Sequence, residues 1–219
     1  GKKASAMNMY AFRITTKEAT FSIRKVNSKT GEIIGESPVD NSSAVYGVYT
    51  DKNCTEKVGE ITIGTDGKGS IVLPTKAYYV KEIKAPTGYA LSPTVHTLIP
   101  SGTVDVTEEE LTGTININKT SEDGNVSGRT FKIVGSDGKV YTKSTDANGV
   151  ASFIDLPVYN LSDNGEIIMY TVSEINVPVC YEVPKAQNIS FVNGTTVDLV
   201  KDTQFHNALK SSEIRIVKK

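Results

Sequence analysis

Ile115-Asn116-Ile117-Asn118-Lys119 decides the reading of this chain. As a strand, its side chains alternate between faces, so Ile115, Ile117 and Lys119 share one side. Two apolar residues mark that side as the core, and a lysine then occupies the next core position. The pattern occurs earlier as Phe21-Ser22-Ile23-Arg24-Lys25 and later as Ile214-Arg215-Ile216-Val217-Lys218. The three lysines are about 94 and 99 residues apart, close to one domain length each time. A single inward lysine is ordinarily a misread register, or one whose amine snorkels to water. Three in phase at domain spacing pose the question of what each meets inside.

The rest of the chain reads as β structure from residue 17 onward. Short runs rich in Val, Ile, Thr and Tyr alternate with Gly, Asp, Asn and Pro clusters, the signature of an antiparallel sandwich. No stretch sustains a helical period. A repeat emerges when the halves are compared. Ala44–Tyr49 matches Arg129–Val134, and Thr65–Gly69 matches Thr145–Gly149, each of the latter a turn signal before a strand ending in Leu-Pro. Tyr78-Tyr79-Val80-Lys81-Glu82 matches Tyr170-Thr171-Val172-Ser173-Glu174. After each glutamate comes a proline and, three residues on, a tyrosine: Pro86 with Tyr89, Pro178 with Tyr181. Gly102–Val106 matches Gly194–Leu199 with one residue of slippage. The expected organisation is two copies of one all-β domain, 17–111 and 112–209. Residues 1–16 are a leader or the end of a preceding module, and 210–219 carry the first strand of a truncated third. Short connections predict modules set end to end.

Composition narrows the function classes. Of 219 residues, 38% are hydrophobic and 22% charged, which suits folded domains. The net charge of −1 gives no electrostatic footprint for nucleic acid or an anionic membrane. No apolar run approaches the ~20 residues that span a bilayer, and residues 1–6 lack the apolar centre of a secretion signal, so any such signal is expected upstream or removed. Cys54 and Cys180 fall in different repeats and are expected unpaired. With His96 and His206 they make no metal-ligand spacing, and no cofactor is expected.

Glu174 is in phase with Tyr170 and Val172, as Glu82 is with Tyr78 and Val80. Each repeat therefore directs one lysine and one glutamate to a common core, where desolvation costs several kcal/mol per ion. A tolerated buried salt bridge is one reading. The second repeat offers another group, Asn207, which shares a strand face with Phe205. In a dry pocket the lysine pKa falls and the glutamate pKa rises, so a proton passes between them. The neutral amine of Lys119 then becomes a nucleophile for the Asn207 carboxamide carbon. Protonated Glu174 polarises the carboxamide oxygen and shuttles protons until ammonia leaves. The product is an amide between first and last strands, closing a loop of roughly 88 residues; loop-entropy arithmetic gives that constraint about 4–5 kcal/mol.

Tyr78-x-Val80-x-Glu82-x-x-Ala85-Pro86-x-Gly88-Tyr89 resembles the E-box of pilin and adhesin modules on Gram-positive bacteria, the Cna B-type or SpaA-like prealbumin-fold domains. The second repeat carries the same element with Cys180 in the glycine position. The resemblance implies tandem transthyretin-like sandwiches, display on the bacterial cell surface and a self-made isopeptide bond. The family's lysine, glutamate and asparagine fall on Lys119, Glu174 and Asn207. In the first repeat only Lys25 and Glu82 correspond, and Glu108 stands at the acceptor position. A carboxylate accepts poorly, so no bond is expected there; one carboxyl is expected to share a proton or turn to solvent. The segment from Glu82 to Glu108 is also shorter than that from Glu174 to Asn207, which predicts a closing strand that ends before passing Lys25.

Other features of the family are missing. Leu73-Pro74-Thr75-Lys76 reads as a strand end, not a sorting signal, and there is no polymerisation motif. Gln187 and Gln204 lack a thioester context. The chain is expected to be an internal or truncated piece of a longer surface protein. Its expected role is a monomeric stalk whose partners are neighbouring modules, with no turnover chemistry. The alternative is an adhesin module holding a host protein or glycan through the loops Asn27–Asn41 and Asn160–Glu166. His206 adjoins Asn207 but points to the opposite face, and is expected at the solvent side.

Overall fold

The computed structural model describes residues 16–191 and 199–211. The expected leader and third-module strand therefore lie almost wholly outside the described residues, as does most of the repeat match at 194–198. Within the described residues there are fifteen strands and no helix. Among the described residues no helix is long and apolar enough to cross a membrane.

The first eight strands are β1 (Glu18–Asn27), β2 (Val45–Tyr49), β3 (Lys57–Thr62), β4 (Lys68–Pro74), β5 (Tyr78–Lys84), β6 (Tyr89–Ala90), β7 (Val95–Leu98) and β8 (Thr103–Glu110). They form two sheets, ordered β4-β1-β8-β6 and β3-β2-β5-β7. Phe21 and Ile23 of one sheet pack on Tyr46, Val48, Tyr78 and Val80 of the other. Burying each such side chain contributes about 1.5–3 kcal/mol.

The second sandwich repeats this plan with β9 (Thr112–Ser121), β10 (Thr130–Gly135), β11 (Val140–Ser144), β12 (Val150–Pro157), β13 (Met169–Ile175), β14 (Gln187–Ser190) and β15 (Leu199–Asn207). Its sheets are ordered β12-β9-β15 and β11-β10-β13-β14. The counterpart of β6 shrinks to a single bridge, Tyr181 to Leu209. Gly88, at the E-box turn, adopts φ +92°, a region that favours glycine. Cys180, at the matching position, is not among the positive-φ residues, so the substitution is accommodated by a different turn.

In each sandwich the first strand lies parallel to the last. β1 pairs with β8 from Ser22–Thr103 to Asn27–Glu108, and β9 pairs with β15 from Leu199–Gly113 to Asn207–Ser121. The expectation that the first closing strand stops short of Lys25 is therefore corrected: Lys25 pairs with Val106, and β8 continues to Glu110. The shortening is absorbed by the tight turn before β8, where Gly102 N–H donates to Ile99 O at 3.0 Å.

Candidate functional site

Alternation along β9 buries Gly113, Ile115, Ile117 and Lys119 together. On β13 it buries Tyr170, Val172 and Glu174, and on β15 Thr203, Phe205 and Asn207. The three polar side chains meet at one end of the second core. Lys119 Nζ lies 3.9 Å from Glu174 Oε2, and both side chains are essentially shielded from solvent. The amine donates to the carbonyls of Thr120 and Phe205. Asn207 Nδ2 donates to Glu174 Oε2 at 2.9 Å, which leaves Asn207 Oδ1 and Glu174 Oε1 without partners. This differs from the sequence expectation, in which Glu174 faces the carboxamide oxygen: here it holds the nitrogen that would leave. Burial lowers the Lys119 pKa, opposed by the Glu174 charge. His206 faces outward, its Nδ1 3.0 Å from Thr120 Oγ1.

The first core assembles the same positions. Lys25, Glu82 and Glu108 are all buried. Glu108 stands two residues past the partner of Lys25 on β8, the register that Asn207 holds relative to Lys119. Lys25 Nζ is 3.9 Å from Glu108 Oε1 and has no hydrogen-bond acceptor; it lies 4.7 Å from the centroid of the Tyr89 ring. Tyr46 OH donates to Glu108 Oε1 at 3.0 Å, and Ser92 N–H donates to Glu82 Oε2 at 2.7 Å. Burial, then the hydrogen bond to and charge of Glu108, push Glu82 up to about 9. Lys25 is lowered by burial, against the pull of Glu108 and Glu82. Neither carboxyl turns to solvent.

Two supporting residues had no assigned role in the sequence reading. Tyr46 and Phe131 each pair directly with the glutamate of their own sandwich, Glu82 and Glu174. The repeat alignment already set them opposite one another, which was the available signal. Phe131 packs edge-on against Phe205 at 5.1 Å, with no hydroxyl to offer an acceptor. The E-box tyrosines also diverge: Tyr89 covers Lys25, whereas Tyr181 covers Arg129 with its ring centroid 4.9 Å from Cζ.

The two candidate binding loops meet at the junction between the sandwiches. A Cβ on Gly165 would fall 2.6 Å from the Pro38 backbone. Leu161 and Ser162 share a cavity of about 290 Å³ with Ile33, Ile34 and Pro38. A Cβ on Gly88 would fall 2.7 Å from Leu161. Leu111, expected to end the first module, buries its side chain in the second core.

The family model of the prealbumin-like fold domain SpaA matches residues 15–110 and 113–204. The chain belongs to this family. Its SpaA-type sandwiches are similar in structure to the TIE protein of Bacillus anthracis, with a TM-score of 0.61 and 24% identity. That likeness covers 87% of this chain but only 34% of the other, so the chain spans about a third of that protein. The C-terminal fragment of the pilus adhesin SpaC from Lactobacillus rhamnosus GG matches at 15% identity and a TM-score of 0.48, covering 91% of this chain and all of that one. The minor pilin GBS52 of Streptococcus agalactiae matches at 13% identity and 0.39, with the same coverage. At 24% identity the likeness to the TIE protein is one of fold. No curated protein matches the chain.

Proposed function

We propose that these modules form a stalk in a surface adhesin or pilus-like protein of a Gram-positive bacterium, and that the second is rigidified by a Lys119–Asn207 amide. The observation that carries this reading is the burial of Lys119, Glu174 and Asn207 in one pocket, with the carboxylate on the leaving nitrogen. Neutral Lys119 attacks the carboxamide carbon of Asn207 and a C–N bond forms. Glu174 accepts the amine proton and passes it to Nδ2, and the C–Nδ2 bond breaks to release ammonia. Rotation of the carboxamide would bring Oδ1 to the carboxyl, where it is polarised during attack. The event occurs once per chain, so the protein is not an enzyme in the turnover sense.

The parallel pairing of β9 and β15 supports a mechanical role, because the bond would tie the entering strand to the leaving one. The alternative, binding a host protein or glycan through the two loops, is weakened because they pack on each other at the junction. Intact mass tests the reading: wild type is expected about 17 Da below the sequence value, the mass of lost ammonia. Glu174→Ala is expected to restore the full mass. A wild-type mass equal to the sequence value overturns the cross-link.

A further inference from the structure

Lys119 and Asn207 lie on paired strands of one sheet, but Glu174 belongs to the other, so no backbone ladder sets the carboxyl against them. Between the sheets, alignment rests on side chains. β14 and β15 are the outer strands of their sheets, and Gln187 bridges them. On β14 it pairs with Val172, two residues before Glu174 on β13. Its Nε2 donates to Gln204 O at 2.7 Å, and its Oε1 accepts from Thr203 Oγ1. Thr203 is buried on the face of β15 that also carries Phe205 and Asn207. One carboxamide, used at both ends, thus ties the sheet of the glutamate to the strand of the asparagine.

The first sandwich closes the same edge differently. His96, opposite Val80, holds the position of Gln187, and Val104 and Asp105 hold those of Thr203 and Gln204. Val104 packs on the apolar core, and Arg24 donates to Asp105 at 2.8 and 2.7 Å. Residues 99–102 alone join β7 to β8, whereas 191–198 separate β14 from β15. A longer connection constrains its ends less. The glutamine clamp stands at the longer one.

We propose that Gln187 is a positioning residue for amide formation: by gripping Thr203 and Gln204 it holds Glu174 in place against the Asn207 carboxamide. The proposal rests on the Lys119–Asn207 cross-link proposed above. Gln187 acts through the two strands and not on the reacting atoms. Proton transfer needs the carboxyl within hydrogen-bond reach of the group it serves, and a misplacement of about 1 Å can cost up to roughly 100-fold in rate.

The rate and final extent of ammonia loss, followed by intact mass during cell-free synthesis of the full chain, read this out. Gln187→Leu is expected to slow the reaction roughly three- to tenfold, the worth of one or two hydrogen bonds, while every chain still reacts in the end. Thr203→Val, which removes only one of the two bonds, is expected to slow it about two- to fivefold, and the double variant to be no slower than Gln187→Leu. Thr171→Val removes a bond to Asn188 between the same strands, β13 and β14, on their outer face, and is expected to stay within about twofold of wild type. A residue that only stabilised the fold would lower the fraction of chains that react while those chains kept the wild-type rate. That result, a wild-type rate in Gln187→Leu, additive slowing in the double variant, or equal slowing by Thr171→Val overturns the role of Gln187 and leaves the cross-link standing. A wild type that loses no ammonia overturns the cross-link itself.

Discussion

Glu108 and Asn207 hold the same register on their closing strands, yet the groups around them differ. Asn207 bonds to Glu174, whose cross-strand partner is Phe131, a ring that offers no donor. Around Glu108 a tyrosine hydroxyl replaces the phenyl ring, and Glu82 takes a backbone N–H from Ser92. Proline stands at the corresponding spacing from Glu174, as Pro184, and has no N–H to give. In the first pocket each carboxyl accepts one hydrogen bond from a group outside the trio, Tyr46 OH or Ser92 N–H, whereas in the second the glutamate accepts from the Asn207 carboxamide itself. One side chain defines the acceptor, and its neighbours change with it. We read the first pocket as a non-covalent ion site and the second as a cross-linking one.

The comparison breaks most visibly in stability. Lys119→Met removes the proposed amide without stranding a charge. It is expected to cost the second sandwich about 4–5 kcal/mol, a fall in Tm of at least roughly 15 °C in its calorimetric transition. Lys25→Met with Glu108→Gln should change the first transition by no more than about 2 kcal/mol, because an apolar group in place of a buried ion is often tolerated. Equal losses in the two sandwiches would erase the distinction.

A second substitution asks whether the acceptor alone separates the pockets. Glu108→Asn with Tyr46→Phe gives the first pocket the polar set of the second. The purified chain should lose a further ~17 Da, with Lys25 as the donor. An unchanged mass would mean that the shorter side chain does not bring its carbonyl carbon to Lys25.

A smaller effect concerns pH. Glu82 is raised from its ordinary 4.5 to about 9, so the folded first sandwich holds a proton that the unfolded chain releases. This contribution is fully present below about pH 4.5 and is lost as pH rises through about 9. Glu82→Gln should flatten that decline in a Tm-against-pH series, leaving the second transition unaltered. Smallest of all, His206→Ala should stay within about 0.5 kcal/mol of wild type in chemical denaturation, since the ring is exposed and bonded only to Thr120.

Much of this was legible in the sequence because strand alternation is strict. Lys25, Lys119, Glu82, Glu174, Glu108 and Asn207 were each placed by counting twos from apolar neighbours, and each is buried. The two sandwiches followed from repeated turn and strand signals. What counting could not give was register between strands far apart in sequence. The short segment before Glu108 suggested a truncated strand, whereas a tight turn at Ile99–Gly102 recovers the length. The direction of the Asn207 carboxamide was equally hidden, since both of its ends can bond a carboxyl. The contact between Arg129 and Tyr181 escaped notice because a side chain reaching across a turn obeys no period.

Peptide mapping of the purified wild-type chain tests the contrast between the pockets most directly, because one digest reports on both lysines. The account predicts a branched peptide joining Lys119 to Asn207, about 17 Da lighter than its two parts, together with peptides in which Lys25 and Glu108 are unmodified. Linear peptides carrying free Lys119 and Asn207, or a branched peptide joining Lys25 to any residue of 103–111, would contradict it.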